Sequence, residues 1–156
     1  MNTDMILRID SGSPDVTEQF AAEIGSRVRG GEVIVLSSDL GGGKTTFVRG
    51  LARGMGSTDH VASPTFTISK EYQAGQLSLY HFDFYRLNDP GIVKAELAEF
   101  IADPMAVVAV EWGDSVKDVL PAERVDVHIE RTGESSRRLR IEASVSLLYL
   151  FQEQAT

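Results

Sequence analysis

The sequence predicts a three-layer α/β fold, in which a central, mostly parallel sheet carries antiparallel hairpin strands and has helices on both faces. Two continuous apolar runs, VIVLSS at 33–38 and VVAVEW at 107–112, are typical of strands buried on both faces of a parallel sheet. A helical periodicity precedes the first run and another follows it. With 156 residues and no linker or internal repeat, we expect residues 1–156 to form one domain.

The first predicted helix begins at a cap, Ser13, followed by Pro14 at its first position. Gly30 and Gly31 are expected to stop it. Its apolar residues repeat every four positions, at Val16, Phe20, Ile24 and Val28. After the 33–38 strand and a glycine-rich loop, a second helix is predicted from Lys44, ending at the glycine-spaced RGMGS of 53–57.

The remaining elements are predicted from turn signals and periodicity. Two extended runs around Gln73–Gln76 indicate a hairpin, and Asp89-Pro90 opens a helix that ends near Asp103-Pro104. VDVHIE at 125–130 and RRLRIEA at 137–143 alternate as half-exposed strands do, with a turn at 132–134 between them. SVSLLYLFQ at 144–152 suggests a closing helix.

The composition excludes several classes of protein. Without cysteine there is no disulfide, thiolate chemistry or cysteine-bound metal. The net charge of -8 disfavours a protein that binds nucleic acid alone, because an acidic surface repels phosphate. No apolar run approaches a membrane span, and MNTDMILRID does not resemble a secretory signal. We therefore expect a cytoplasmic protein that does not contact a membrane.

The stretch SSDLGGGKTT at 37–46 nearly matches the phosphate-binding pattern G-x-x-x-x-G-K-[ST], with Ser38 in place of the first glycine. It lies between a predicted buried strand and a helix, which is the context that such a loop requires. Gly41, Gly42 and Gly43 allow backbone N–H groups to face phosphate oxygens. Lys44 is expected to reach the β- and γ-phosphates, and the Thr45 hydroxyl to bind Mg²⁺.

Two acids follow apolar runs that carry them to the same sheet edge as the loop. Asp83 ends LSLYHFD and Glu111 ends VVAVE, so either is expected to hold the metal through water or to position the nucleophile. Trp112 is predicted to stack on a base, to meet a partner or to pack in the core. His81 is interpreted as a structural histidine. No N-K-x-D signature for guanine is present, which favours adenine, and hence ATP.

Four strings in this order resemble the TsaE family, formerly YjeE. They are SSDLGGGKTT, SPTF at 63–66, HFDFYRL at 81–87 and VEW at 110–112. The family consists of bacterial P-loop ATPases that assist in making threonylcarbamoyladenosine on tRNA. The resemblance extends from about Glu32 to Ala143, and it implies a P-loop NTPase-like fold.

The resemblance also implies roles for single residues. Lys44 matches the phosphate-binding lysine, Thr45 the magnesium-ligating hydroxyl, Asp83 the metal-linked aspartate and Glu111 the acid required for hydrolysis. Nucleotide binding is expected from the loop and the tryptophan: Asp39, Leu40, Gly41, Gly42, Gly43, Lys44, Thr45, Thr46 and Trp112. The SPTF segment matches a switch-like element, in which Ser63 and Thr65 are expected to sense the γ-phosphate.

The implied partners are the TsaB and TsaD proteins, with tRNA contacted only indirectly through their complex. Three activities are compatible with the sequence. The first is a Mg²⁺-dependent ATPase, weak alone and stimulated by partners, since no arginine finger is obvious. The second is a nucleotide-gated binding module with negligible hydrolysis. The third is a small-molecule kinase, although no arginine-rich lid is evident.

Overall fold

The computed structural model describes residues 5–38, 43–59, 61, 69–84 and 91–151. The strands are β1 (Met5–Ser11), β2 (Val33–Ser38), β3 (Ser69–Ala74), β4 (Leu77–Asp83), β5 (Ala106–Glu111), β6 (Val125–Arg131) and β7 (Arg137–Ala143). The α-helices are α1 (Pro14–Gly25), α2 (Lys44–Met55) and α3 (Gly91–Ile101), and 3₁₀ helices cover Gly113–Val119 and Val145–Leu150. No helix among these residues is long and apolar enough to span a membrane.

One sheet joins the seven described strands in the order β1-β7-β6-β2-β5-β4-β3. Its centre is parallel, because β2 pairs in parallel with β5 and β6, and β5 pairs in parallel with β4. Antiparallel strands complete both sides, β7 and β1 beyond β6 and β3 beyond β4. The predicted α/β class, with a parallel core and antiparallel hairpins, is confirmed.

Helices cover both faces of the parallel centre. Ile34 and Leu36 of β2 pack with α1 and α2 in one apolar cluster, while Val33 and Val35 pack with α3 and the Gly113–Val119 helix in another. All four side chains are buried, as expected for a strand enclosed on both faces. The strands β6, β7 and β1 bury only the face toward the first cluster, so their sequences alternate, as predicted for β6 and β7.

The first helix is shorter than predicted. The Ser13 side chain caps it by accepting a hydrogen bond from the backbone N–H of Val16, and Pro14 begins it, but it ends at Gly25 rather than at Gly30. Glu32 explains part of the difference: its buried carboxylate accepts hydrogen bonds from the backbone N–H groups of Arg29, at 2.7 Å, and Gly30, at 2.8 Å. These bonds hold residues 29–30 in a turn instead of a helix.

The closing segment also differs from its prediction. It forms a single 3₁₀ helix in which Leu147 and Leu150, three residues apart, are buried on one side, as the three-residue repeat of a 3₁₀ helix requires. The Tyr149 hydroxyl donates a hydrogen bond to Glu32 and anchors this helix beside α1. Burial, together with the Glu32 carboxylate, raises the pKa of Tyr149, so the hydroxyl keeps its proton.

Candidate functional site

The two predicted acids lie side by side at the carboxyl end of the sheet. Asp83 ends β4, Glu111 ends β5, and the two residues are directly paired in the parallel register. Leu36 of β2 is the partner of Glu111 on the other side, so β2 leaves the sheet two residues later at the same edge. The expectation that both acids end strands at the sheet edge where the glycine loop begins agrees with this register.

Lys44 is the first residue of α2, and its side chain is only 7% exposed. Its Nζ donates a hydrogen bond to Ser38 Oγ at 2.9 Å, lies 4.0 Å from Glu111 Oε1, and lies 4.6 Å from the centre of the Trp112 ring. A buried ammonium needs such partners, since an isolated buried charge is strongly unfavourable. These contacts hold the cation at the end of β2, where β5 also ends.

Glu111 is held from two sides. Its Oε2 is hydrogen-bonded to Nε2 of His81, a fully buried histidine of β4, while its Oε1 faces Lys44. The tautomer with a proton on Nε2 is the one that donates to the carboxylate. Nδ1 of His81 has no hydrogen-bond partner among the described residues. The histidine therefore fixes one oxygen of Glu111 and leaves the other directed toward the lysine.

Trp112 has a left-handed backbone, with φ of 58°, which is rare for a residue with a large side chain. Such a conformation costs roughly 1–3 kcal/mol and persists only when its surroundings enforce it. It ends β5 abruptly and begins the 3₁₀ helix of Gly113–Val119. The ring is partly buried against the apolar cluster under α3, and the Lys44 ammonium lies over the ring. Stacking on a base stays a prediction.

The described end of the loop has the features of an anion site. Gly43 has φ of 108°, which glycine adopts readily, and it precedes the first turn of α2. Having no side chain, Gly43 cannot cap the first N–H groups of the helix, and these groups carry the positive end of the helix dipole. Thr45 and Thr46 lie half-buried in this turn. Asp39, Leu40, Gly41 and Gly42, and the Ser63 and Thr65 of SPTF, lie outside the described residues.

The described side chains of the site supply only part of the ligands that a magnesium ion needs, and a bound substrate would supply others. No group of three or more His, Asp or Glu side chains among the described residues is arranged to hold a metal. Thr45 carries a hydroxyl and Asp83 a carboxylate, and the two oxygens of Glu111 face His81 and Lys44. Mg²⁺ commonly takes one or two protein ligands and completes its shell with phosphate oxygens and water, which is the arrangement this set allows.

Three contacts in this site were not predicted from the sequence. Ser38 was treated as a substitution within the loop, but its hydroxyl contacts Lys44. The structural role predicted for His81 is compatible with its burial, but its contact with Glu111 was not predicted; its position two residues before Asp83 on one strand was the available signal, since such residues share a face. Arg137 of β7 reaches the loop, with Nε 3.9 Å from the position that a Cβ on Gly43 would occupy. No sequence signal indicated that contact.

Replacing His81 with phenylalanine should lower the free energy of unfolding by about 2–3 kcal/mol, because the buried Glu111 carboxylate loses its donor. Urea unfolding followed by circular dichroism measures this. The matched control is His128→Phe, since His128 is exposed on β6 and its replacement should change stability by no more than about 0.5 kcal/mol. Equal stability of the two variants would show that the contact between His81 and Glu111 contributes nothing to the fold.

Comparisons with known proteins agree with the motifs. The family model described as "Threonylcarbamoyl adenosine biosynthesis protein TsaE" matches residues 11–139. The chain is 40% identical over 131 residues to a Bacillus subtilis protein named tRNA threonylcarbamoyladenosine biosynthesis protein TsaE, covering 84% of this chain and 82% of that one. A protein of the same name from Aquifex aeolicus is 37% identical over 131 residues, covering 83% and 90% of the two chains.

A solved structure extends the comparison to the fold. The crystal structure of Bacillus subtilis YdiB superimposes with a TM-score of 0.78 at 34% sequence identity. The match covers 97% of this chain and 95% of that one. The likeness therefore includes the whole architecture as well as the motifs around the glycine loop.

Proposed function

The chain belongs to the TsaE family, and from this membership and the site geometry we propose that it binds and hydrolyses Mg·ATP as an accessory protein of tRNA threonylcarbamoyladenosine biosynthesis. One observation carries the proposal most directly. A buried lysine begins a helix after a glycine loop and lies 4.0 Å from a buried carboxylate that ends the neighbouring strand. This is the arrangement that phosphoryl transfer needs, with a cation for the phosphates and an acid beside them.

Phosphate binding is proposed to use the loop, the first turn of α2 and Lys44. The N–H groups from Gly41 to Thr46 bind the phosphate oxygens, with the helix dipole adding positive potential. Gly43 supports this role because its positive φ turns the loop into the helix without a side chain in the way. Asp39 and Leu40 contribute backbone to the same loop.

Metal binding is proposed to involve Thr45 and Asp83 directly and Glu111 through water. The half-buried positions of Thr45 and Asp83 support their roles, as does the pairing of Asp83 with Glu111. When bound, Mg²⁺ would neutralise charge on the β- and γ-phosphate oxygens.

Hydrolysis is proposed to depend on Glu111. With Oε2 held by His81, its Oε1 stays at the end of the sheet, where it orients and deprotonates the attacking water. Lys44 stabilises the charge that develops on the γ-phosphoryl oxygens as the bond from the γ-phosphorus to the β–γ bridging oxygen breaks and ADP leaves. Trp112 keeps the ammonium in place through its ring face.

The proposed partners are TsaB and TsaD, whose complex the protein would reset between turnovers, with tRNA contacted only through that complex. The names of the relatives support a place in this pathway. The net charge of -8 supports indirect rather than direct contact with tRNA. We propose the cytoplasm as the compartment, which is consistent with relatives named as tRNA-modification proteins.

Lys44→Ala tests the proposal. Phosphate release from Mg·ATP is measured for the protein alone and with TsaB and TsaD, and ATP affinity is measured by calorimetry. We expect partners to stimulate the native protein, and Lys44→Ala to lose at least about tenfold in affinity, because a charge-assisted bond to phosphate is removed. Lys117→Ala is the matched control, since Lys117 is exposed and pairs only loosely with Asp114.

Each result selects among the activities. If native protein with its partners releases no more phosphate than Lys44→Ala, the ATPase proposal is wrong. If ATP nevertheless binds tightly to the native chain, the protein is a nucleotide-gated module. Phosphoryl transfer to an added small molecule would instead identify a kinase.

A further inference from the structure

The hydroxyl of Ser38 is a side-chain acceptor that the phosphate-binding pattern does not contain. The pattern places glycine at this position, and glycine has no side chain. Here Ser38 Oγ accepts a hydrogen bond of 2.9 Å from Lys44 Nζ. Ser38 is two residues beyond Leu36 on β2 and so shares the face that packs toward α2, which brings its hydroxyl to the lysine.

The serine fits its position without backbone strain. Trp112 is the one non-glycine residue with positive φ among the described residues, so Ser38 does not occupy a conformation that requires glycine. Its effect on the loop is therefore carried by the hydroxyl group and not by the backbone. Replacement by alanine consequently removes the acceptor and leaves the strand geometry intact.

We propose that Ser38 sets the nucleotide affinity of this chain by holding the Lys44 ammonium at the end of β2, so that phosphate binding must displace the serine hydroxyl. This inference rests on the proposed function and assigns Ser38 a role within it. The lysine is 7% exposed and close to Glu111 and Trp112, so its ammonium already has partners before a phosphate arrives. Because the Lys44–Ser38 hydrogen bond is exchanged for one from Lys44 to phosphate, the net free energy gained on nucleotide binding is smaller.

Removal of the hydroxyl should therefore tighten binding. Without Ser38 Oγ the buried ammonium keeps Glu111 and the Trp112 ring but loses its hydrogen bond to the serine. This raises the free energy of the nucleotide-free protein only, because the bond is already displaced when phosphate is bound. The expected change is about three- to tenfold tighter binding of Mg·ATP by Ser38→Ala. Ser38→Thr keeps a hydroxyl on a side chain that suits a strand, and it should bind as the native protein does.

The experiment measures Mg·ATP affinity by calorimetry and by tryptophan fluorescence. Trp112 is the sole tryptophan of the chain, and its ring lies 4.6 Å from Lys44 Nζ, so its emission reports movement of the lysine. The variants are Ser38→Ala, Ser38→Thr and Ser37→Ala. Ser37 is the matched control because it lies on the opposite face of β2, where it pairs in register with His128.

Tighter binding by Ser38→Ala, with Ser38→Thr and Ser37→Ala unchanged, supports the proposal. Equal or weaker binding by Ser38→Ala overturns it, as does equally tightened binding by Ser37→Ala. The proposed function fails separately: in that case native protein binds no ATP, or Lys44→Ala binds as tightly as native. If Lys44→Ala loses affinity while Ser38→Ala matches native, only the role of Ser38 is rejected.

Discussion

Replacing Glu111 with glutamine is expected to lower phosphate release from Mg·ATP, measured with TsaB and TsaD present, by about 100-fold or more. The amide keeps the size of the carboxylate and an oxygen that accepts from His81 Nε2, so the side chain should stay in place. It loses the negative charge 4.0 Å from the Lys44 ammonium and the ability to take a proton from water. ATP affinity should therefore change far less than the rate.

Two variants make this prediction specific. Glu123→Gln removes an exposed carboxylate outside the site and should leave the rate unchanged. Asp83→Asn changes the acid paired with Glu111 in the sheet and, if Asp83 serves the metal, should weaken dependence on Mg²⁺ as well as the rate. If Glu111→Gln releases phosphate at the native rate and Asp83→Asn does not, Asp83 and not Glu111 is the base.

The position of the site could be predicted because its signals are local. The buried strand β2, the glycine loop and the start of α2 are consecutive in the sequence, so their order alone gives the strand–loop–helix unit. Asp83 and Glu111 were predicted at the sheet edge because each follows its own apolar run. The parallel pairing of β4 with β5 then brings the two strand ends together.

Strand β1 was not predicted, and the reason is the distance to its partner. Leu7 and Ile9 alternate with Arg8 and Asp10, but the apolar Ile6 interrupts the alternation, and the stabilising contacts of the strand come from β7. Leu7 pairs with Ile141, at the far end of the chain, so nothing near the N-terminus marks the pairing. Strand propensity depends on such neighbours more than helix propensity does, and one sequence does not reveal them.

The contacts within the site were missed for a different reason. Periodicity gives the face of the strand on which Ser38 or His81 lies. It gives neither the residue that contacts this side chain nor the rotamers of the two side chains. The bond from Lys44 to Ser38 joins a helix to a strand across the loop, and the bond between His81 and Glu111 joins two strands. The first depends on how closely α2 approaches the sheet and the second on side-chain rotamers between neighbouring strands, and both are properties of packing.

Three glycines set the approach of α2 to α1, and Gly54→Ala should show the strength of that constraint. A Cβ on Gly54 would lie 2.0 Å from the carbonyl oxygen of Ala22, and one on Gly50 would lie 2.3 Å from that of Glu18. Gly25 of α1 is equally close to the backbone of α2. Since backbone atoms cannot rotate away as side chains do, the helices must separate. We expect a loss of about 3 kcal/mol in unfolding free energy.

The sign of this effect separates packing from helix propensity. Within an isolated helix, alanine is favoured over glycine by about 1 kcal/mol, so propensity alone predicts that Gly54→Ala is stabilising. Gly12→Ala is the matched control, because a Cβ there meets nothing within 4 Å and its φ is not positive. Urea unfolding compares the two variants with the native chain. Stability of Gly54→Ala equal to or above native would mean that the helices accommodate a methyl group, and that the glycines do not determine where α2 presents Lys44.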